Sequence, residues 1–257
     1  MEGAFSSPRS PDFFKLLGHE VRWNILTLLA RSDYCNQELV QTLKQPQNLL
    51  SYHVGLLREQ NLVTERRSIA DERTIYYHLN LDIFRSLYFS SADALHPAFD
   101  QPGALQHEEA VSSSGRSVRV LFLCTHNSAR SQMAEGILRH LSTGRVEAFS
   151  AGSQPLPVHP LAVKALATLG IDISHQRSKY LDQMKTQSFD YIVTVCDRVR
   201  ESCPTFPDDP ERIHWSILDP VDVQGSDKEQ YRAFEQVALE LMTRIRYLVI
   251  LIDRANT

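Results

Sequence analysis

Cys124-Thr125-His126-Asn127-Ser128-Ala129-Arg130-Ser131 lies between an almost continuous apolar run, Val118 to Leu123, and a segment of helical periodicity carrying Met133, Ile137, Leu138 and Leu141. If the run is a buried strand and the segment a helix, the thiol stands at a strand's carboxyl end beside a helix N-terminus. Open parallel sheets bind their ligands there. Backbone N–H groups from Thr125, His126, Asn127, Ser128, Ala129, Arg130 and Ser131, with the planar fork of Arg130, suit an oxyanion. The same positive field would lower the thiol pKa and make Cys124 a thiolate nucleophile. The plainer alternative is a buried strand-end cysteine beside an arginine paired to some carboxylate. The strand-loop-helix context favours the anion site.

Two further groups belong on the same sheet edge. Cys196 and Cys203 follow the strand-like Tyr191 to Val195, in Cys196-Asp197-Arg198-Val199-Arg200-Glu201-Ser202-Cys203-Pro204, a segment expected to be a loop. They read as inert thiols, as half of a zinc site, or as a thiol relay. Structural zinc sites favour closer cysteine spacing and need two more ligands, for which scattered histidines such as His126 and His214 are the candidates, so a relay fits better and no metal is expected. Trp215-Ser216-Ile217-Leu218-Asp219-Pro220 places an acid past another strand end. By itself Asp219 reads as a turn-forming residue before proline, and beside Cys124 and Arg130 it becomes a candidate general acid.

These residues need a rigid scaffold. Strand-like runs at Val118 to Leu123, Val146 to Phe149, Tyr191 to Val195 and Ile213 to Ile217 alternate with helical segments around Leu161 to Leu169 and Tyr180 to Met184. A long last helix opens at Ser226 and Glu229, with Phe234, Val237, Leu241, Ile245 and Leu248 inward. That alternation predicts an α/β domain with a parallel sheet over 117–257. Ahead of it, 96–116 is rich in Pro, Gly, Ser and acidic residues and reads as a linker.

Residues 1–95 have another rhythm: three short amphipathic helices, strands from Val63 to Ile69 and Thr74 to Leu79 around a turn at Asp71-Glu72, and a last helix towards Leu95. This is an α+β winged helix-turn-helix. Its second helix of the motif, Gln47 to Gln60, buries Leu50, Val54 and Leu57. Gln47, Asn48, Ser51, Tyr52 and His53 are the candidate base contacts, with Arg66, Arg67 and Arg73 on the wing for phosphates. A helical interaction domain with a solvated polar face is the alternative.

The 257 residues suit two domains, and 42% hydrophobic with 23% charged residues excludes disordered, collagen-like and disulfide-scaffold classes. The longest apolar stretch near an end, Tyr247 to Ile252, is too short to cross a membrane. Met1 to Pro8 lacks the basic start and apolar run of a secretory signal, so a cytoplasmic chain with four reduced cysteines is expected. A net charge of −4 restricts any DNA-binding surface to a local patch.

Residues 117–257 resemble the thioredoxin-coupled arsenate reductases on the low-molecular-weight tyrosine phosphatase fold. The likeness rests on Cys124 to Gly136, on Phe149-Ser150-Ala151-Gly152, on the Cys196/Cys203 pair, and on His214-Trp215 leading to Asp219-Pro220. It implies attack of Cys124 on arsenate held by Arg130 and the loop, protonation of the departing oxygen by Asp219, and a disulfide relay through Cys196 to Cys203. An external dithiol such as thioredoxin then resets the relay, and no bound cofactor takes part. Ser131 would help hold the thiolate. Many members have a cysteine where this chain has Ala129. Some hold potassium through side chains matching Asn127, Glu135 and Ser150 plus an acid where this chain has Lys179, so the Lys179 ammonium is expected near Glu135 instead. Gln45 to Val63 resembles the recognition segment of the ArsR/SmtB winged-helix repressors, which implies a homodimer on operator DNA. Arsenite-sensing members carry clustered cysteines, whereas here Cys35 stands alone beside Asn36. A tyrosine phosphatase and a non-enzymatic oxyanion- or redox-sensing repressor are the competing readings.

Overall fold

The computed structural model describes residues 12–94, 117–201 and 203–255, so the expected linker, 96–116, lies outside the described residues. The chain divides into two compact units, each with its own core.

The first unit runs α1 (Asp12–Leu17), α2 (Glu20–Leu29), β1 (Tyr34–Cys35), α3 (Asn36–Leu43), α4 (Gln47–Glu59), β2 (Val63–Arg67), β3 (Ile75–Leu79) and α5 (Leu81–Asp93). In α4, Leu50, Val54 and Leu57 recur at helical spacing and are buried against Ile25 and Leu29 of α2 and Leu39 of α3. Lys44 closes α3 in the left-handed region at φ 51, and Pro46 opens α4, which makes the tight turn of a helix-turn-helix. β2 and β3 pair antiparallel from Val63↔Leu79 to Arg67↔Ile75. Three details differ from expectation. An additional helix, α1, precedes the others, because Phe13 adds an anchor to a core too small to be closed by three helices. The two-residue β1 joins β3 as a third strand. The wing strands are shorter and their turn falls at Glu72 and Arg73.

The second unit has four parallel strands in the order β5-β4-β6-β7: β4 (Val118–Cys124), β5 (Val146–Gly152), β6 (Tyr191–Thr194) and β7 (Glu211–His214). Helices α6 (Arg130–Ser142), α7 (Pro160–Ala167), α8 (Asp197–Glu201) and α9 (Asp227–Ala255) pack around them, with a 3-10 turn at Leu181–Gln183. β4 is buried from Val120 to Cys124, as a central strand covered on both faces must be. Glu229 caps the backbone N–H of Ser226 at 2.8 Å to open α9, whose Phe234, Val237, Leu241, Ile245 and Leu248 are all buried. The strand expected over Ile213 to Ile217 begins at Glu211 and ends at His214. The stretch after Cys196, expected to be a loop, opens with the single turn of α8. Among the described residues no helix is long and apolar enough to cross a membrane.

Candidate active site

β4 and β6 are neighbours in register, Leu123 opposite Thr194, with Val195 N–H donating to Leu123 O at 2.8 Å. The two chains therefore leave the sheet together, one at Cys124 and the other at Cys196. The loop after Cys124 is turned outward by its carbonyls. Those of Thr125, His126 and Ser128 accept from the N–H groups of Gln154, Leu156 and His159 at 2.9, 2.9 and 2.8 Å, and that of Asn127 accepts from Ser178 Oγ at 2.8 Å. In a trans peptide the next N–H points the opposite way. The amides of His126, Asn127, Ser128 and Ala129 thus face the thiol, and Asn127 N–H donates to Cys124 Sγ at 3.1 Å. This is an anion nest at the start of α6. Asn127 adopts φ 45, a left-handed conformation that asparagine tolerates better than most residues. Gly152 is required beside it, since a Cβ there would lie 2.6 Å from Thr125 O and 2.8 Å from Asn127 N.

Ser131 Oγ is 2.9 Å from Cys124 Sγ, and Asn127 Nδ2 donates to Ser131 Oγ at 2.9 Å and to Ser150 Oγ at 2.8 Å. Asn127 Oδ1 in turn accepts from Gln132 Nε2 at 3.0 Å and from Lys179 N–H at 2.7 Å. Glu135, fully buried, accepts from Ser150 and is paired with Arg139 at 2.6 Å and Lys179 Nζ at 3.1 Å. The Lys179 ammonium stands where it was expected, as a cation built into the network that orients Asn127.

Arg130 is buried. Its Nη1 donates to Ile217 O at 2.9 Å and its Nη2 pairs with Asp219 Oδ2, so nucleophile loop, guanidinium and acid meet in one place. Burial pushes the Cys124 thiol above its ordinary value, and the pull of Arg130 and the Ser131 hydroxyl does not cancel it. Arg130, paired with Asp219, still pulls the thiol down, and burial outweighs that pull. Iodoacetamide should accordingly label Cys124 slowly at neutral pH, at a rate that climbs as pH rises through and past the ordinary thiol range. A labelling rate already level at neutral pH would contradict this.

Cys196 is buried with its Sγ 3.3 Å from Thr125 Oγ1, beside the residue that follows the first thiol. Cys203 lies past α8, half-buried, with its thiol pushed up by burial. All four cysteines are free. Asp197, opening α8, pairs with the buried His214 at 3.1 Å, and Thr194 Oγ1 sits 2.8 Å from the other ring nitrogen. His214 is thus committed to holding β6, β7 and α8 together. The residues that sequence reasoning did not mark are Ser178, which holds the loop through hydroxyl donation, and His159, which holds it through its backbone. Neither has a local signal, because their partners are 51 and 31 positions away, at Asn127 and Ser128.

In the first unit, Gln47, Asn48, Ser51 and Tyr52 are exposed on one face of α4, with Tyr52 62% exposed and Asn36 Nδ2 donating to Ser51 Oγ at 3.3 Å. Arg67 and Arg73 are exposed on the wing and Arg66 is half-buried. His53 does not belong with the base-contacting candidates. It is buried on the stripe formed by Leu50, Val54 and Leu57, its ring tilted 42° against that of His19, the N-cap of α2, with centroids 4.3 Å apart, and its pKa is lowered by burial and by His19 and Arg22.

The fold and the loop define a class: parallel α/β proteins with a cysteine at a strand-to-helix turn ringed by backbone amides. Residues 119–256 match the family described as low molecular weight phosphotyrosine protein phosphatase, and residues 19–65 match bacterial regulatory protein, arsR family. An arsenate reductase of Halalkalibacterium halodurans is 42% identical over 127 residues, covering 49% of this chain and 91% of its own. One of Bacillus subtilis is 38% identical over the same shares. A solved arsenate reductase from Archaeoglobus fulgidus is 34% identical over 51% of this chain and 98% of its own, with a TM-score of 0.41. The chain belongs to the low molecular weight phosphotyrosine protein phosphatase family, with an arsR-type helix-turn-helix fused ahead of that domain.

Proposed function

We propose that this chain reduces arsenate to arsenite with its second domain and regulates transcription with its first, 96–116 serving as linker. The observation that carries the reductase reading is the second buried thiol, Cys196, next to Thr125 at the nucleophile loop. A phosphatase of this fold has no use for it. Arsenate enters the nest and draws Arg130 off Asp219, the Cys124 proton passes to an oxygen of the incoming dianion, and the released Asp219 carboxylate takes up a proton from the acid species of the solvent. The thiolate attacks arsenic, a sulfur–arsenic bond forms, and the arsenic–oxygen bond opposite breaks as Asp219 gives the leaving oxygen a proton. Cys196 then attacks Cys124 sulfur. The sulfur–arsenic bond breaks with its electron pair left on arsenic, so arsenic is reduced by two electrons and a Cys124–Cys196 disulfide forms. Cys203 attacks Cys196 and frees Cys124, and thioredoxin or a similar dithiol reduces the resulting Cys196–Cys203 disulfide in the cytoplasm. The test is arsenite formation with thioredoxin recycling, beside an aryl phosphate control. Turnover of the aryl phosphate alone would favour the phosphatase reading. Binding without either turnover would favour a sensor.

Asp219→Asn should slow the chemical step by about 10²–10⁴-fold while oxyanion binding persists, since the amide neither donates the carboxyl proton nor competes as an anion for Arg130. Rapid-quench arsenite formation beside a phosphate titration separates the two. Lost binding with unchanged chemistry would contradict the general-acid role.

As a homodimer, the first domain should bind a near-palindromic operator through Gln47, Asn48, Ser51 and Tyr52, with phosphates held by Arg66, Arg67 and Arg73. Arg67→Ala should weaken binding evenly across sequences and reduce the salt slope by about one per half-site. His53→Gln should lower the melting temperature and leave sequence preference intact. A changed preference in that variant would return His53 to the base-reading face.

A further inference from the structure

His159 stands beside the anion loop, held from three sides. Its backbone N–H donates to Ser128 O at 2.8 Å, its Nδ1 accepts from Leu161 N–H at 3.2 Å to cap α7, and its ring stacks on Phe234 of α9 with centroids 4.7 Å and planes 21° apart. An Nδ1 that accepts carries no proton, so the neutral ring must carry it on Nε2. Burial lowers the imidazole pKa, and the nearby Asp219 carboxylate pulls the other way. Nε2–H is thus a neutral donor, fixed in place and given no partner among the described residues.

Asp219 is committed elsewhere in the resting state, Oδ2 to Arg130 and Oδ1 to Val221 N–H at 3.3 Å. A guanidinium partner favours the carboxylate, yet a general acid must carry a proton. An oxyanion in the nest competes for Arg130, and its arrival leaves Asp219 in need of another partner. We propose that His159 is that partner, a positioning residue whose Nε2–H holds one carboxyl oxygen of Asp219 once an oxyanion has taken Arg130. The exchange replaces a cation with a neutral donor. Asp219 then takes up a proton from hydronium or a buffer acid on its other oxygen and faces it towards the leaving oxygen, to which that proton goes. His159 itself gains and loses no proton, because protonating Nδ1 would break the cap on α7.

The change of partner needs only an oxyanion, and its effect on rate rests on the arsenate-reductase reading. The first measurement therefore uses inorganic phosphate on the full reduced chain, followed by nitrogen-15 NMR of the imidazoles. His159 should show the Nε2–H tautomer near neutral pH. Phosphate should move its Nε2–H proton downfield in wild type, and Asp219→Ala should abolish that movement. An imidazolium, or a phosphate response that survives in Asp219→Ala, overturns the proposal. In the second measurement His159→Asn keeps a side-chain oxygen to cap α7 and loses the donor. Single-turnover arsenite formation should fall about tenfold while the arsenate concentration at half-maximal rate changes less than about twofold. A variant as fast as wild type would reduce His159 to a helix cap. Absent arsenate reduction in wild type with the NMR response intact would remove the arsenate reading and leave the partner exchange standing.

Discussion

Cys124→Ser is expected to abolish arsenate reduction, by a factor on the order of 10⁴ or more, because a hydroxyl at this position is neither ionised nor able to enter a disulfide. Cys124 Sγ sits at the centre of the inward-facing amides, with Asn127 N–H 3.1 Å and Ser131 Oγ 2.9 Å away, so a serine oxygen would occupy the same nest and oxyanion binding should survive. The measurement is arsenite production under thioredoxin recycling together with a phosphate titration of the variant. Reduction at the wild-type rate would remove Cys124 from the chemistry. Loss of both reduction and phosphate binding would show instead that the substitution had collapsed the loop.

Cys203→Ser should give a different signature. Cys196 is the thiol beside the loop, so one equivalent of arsenite should still form, at a rate within about twofold of wild type, while thioredoxin-driven turnover falls by about a hundredfold. The trapped species should be a Cys124–Cys196 disulfide, visible by peptide mapping after alkylation. Cys196→Ser should fail even in the single turnover. If Cys203→Ser turns over as fast as wild type, the order of the two relay thiols is wrong. The short helix α8 lies in sequence between the two cysteines, so a Cys196–Cys203 disulfide is expected to disturb it. Proteolysis or hydrogen exchange across residues 197–201 should therefore rise on oxidation.

The sequence by itself determined much of the chemistry. Val118 to Leu123 is apolar at every position but Arg119, a run that suits a strand covered on both faces, and the cysteine that ends it then falls at the edge where such sheets bind ligands. The helical spacing of Leu50, Val54 and Leu57 likewise determined which side of α4 is presented to solvent. These features are local: period, run length and a motif of a few residues carry them. His53 shows the limit of that reading, since it sits at the margin of the apolar stripe and only the packing of His19 against it assigns it to the interior.

Tertiary structure alone decided the partnerships. The thiol's protonation depends on its burial and on the pull of Arg130, and Arg130 meets Asp219 across 89 positions of chain. Gly152 is quoted easily from the sequence, but its necessity lies in Thr125 O and Asn127 N, which approach it from a neighbouring strand end. The outward anchoring of the loop's carbonyls by residues 154–159 turned the amides inward, and no pattern in 124–131 records which way a peptide plane will face. Charge, hydrogen-bond direction and close approach act through space between segments that the chain brings together only on folding. Residue types and spacing therefore identify the chemical groups, while their protonation and partners are set by the packed structure.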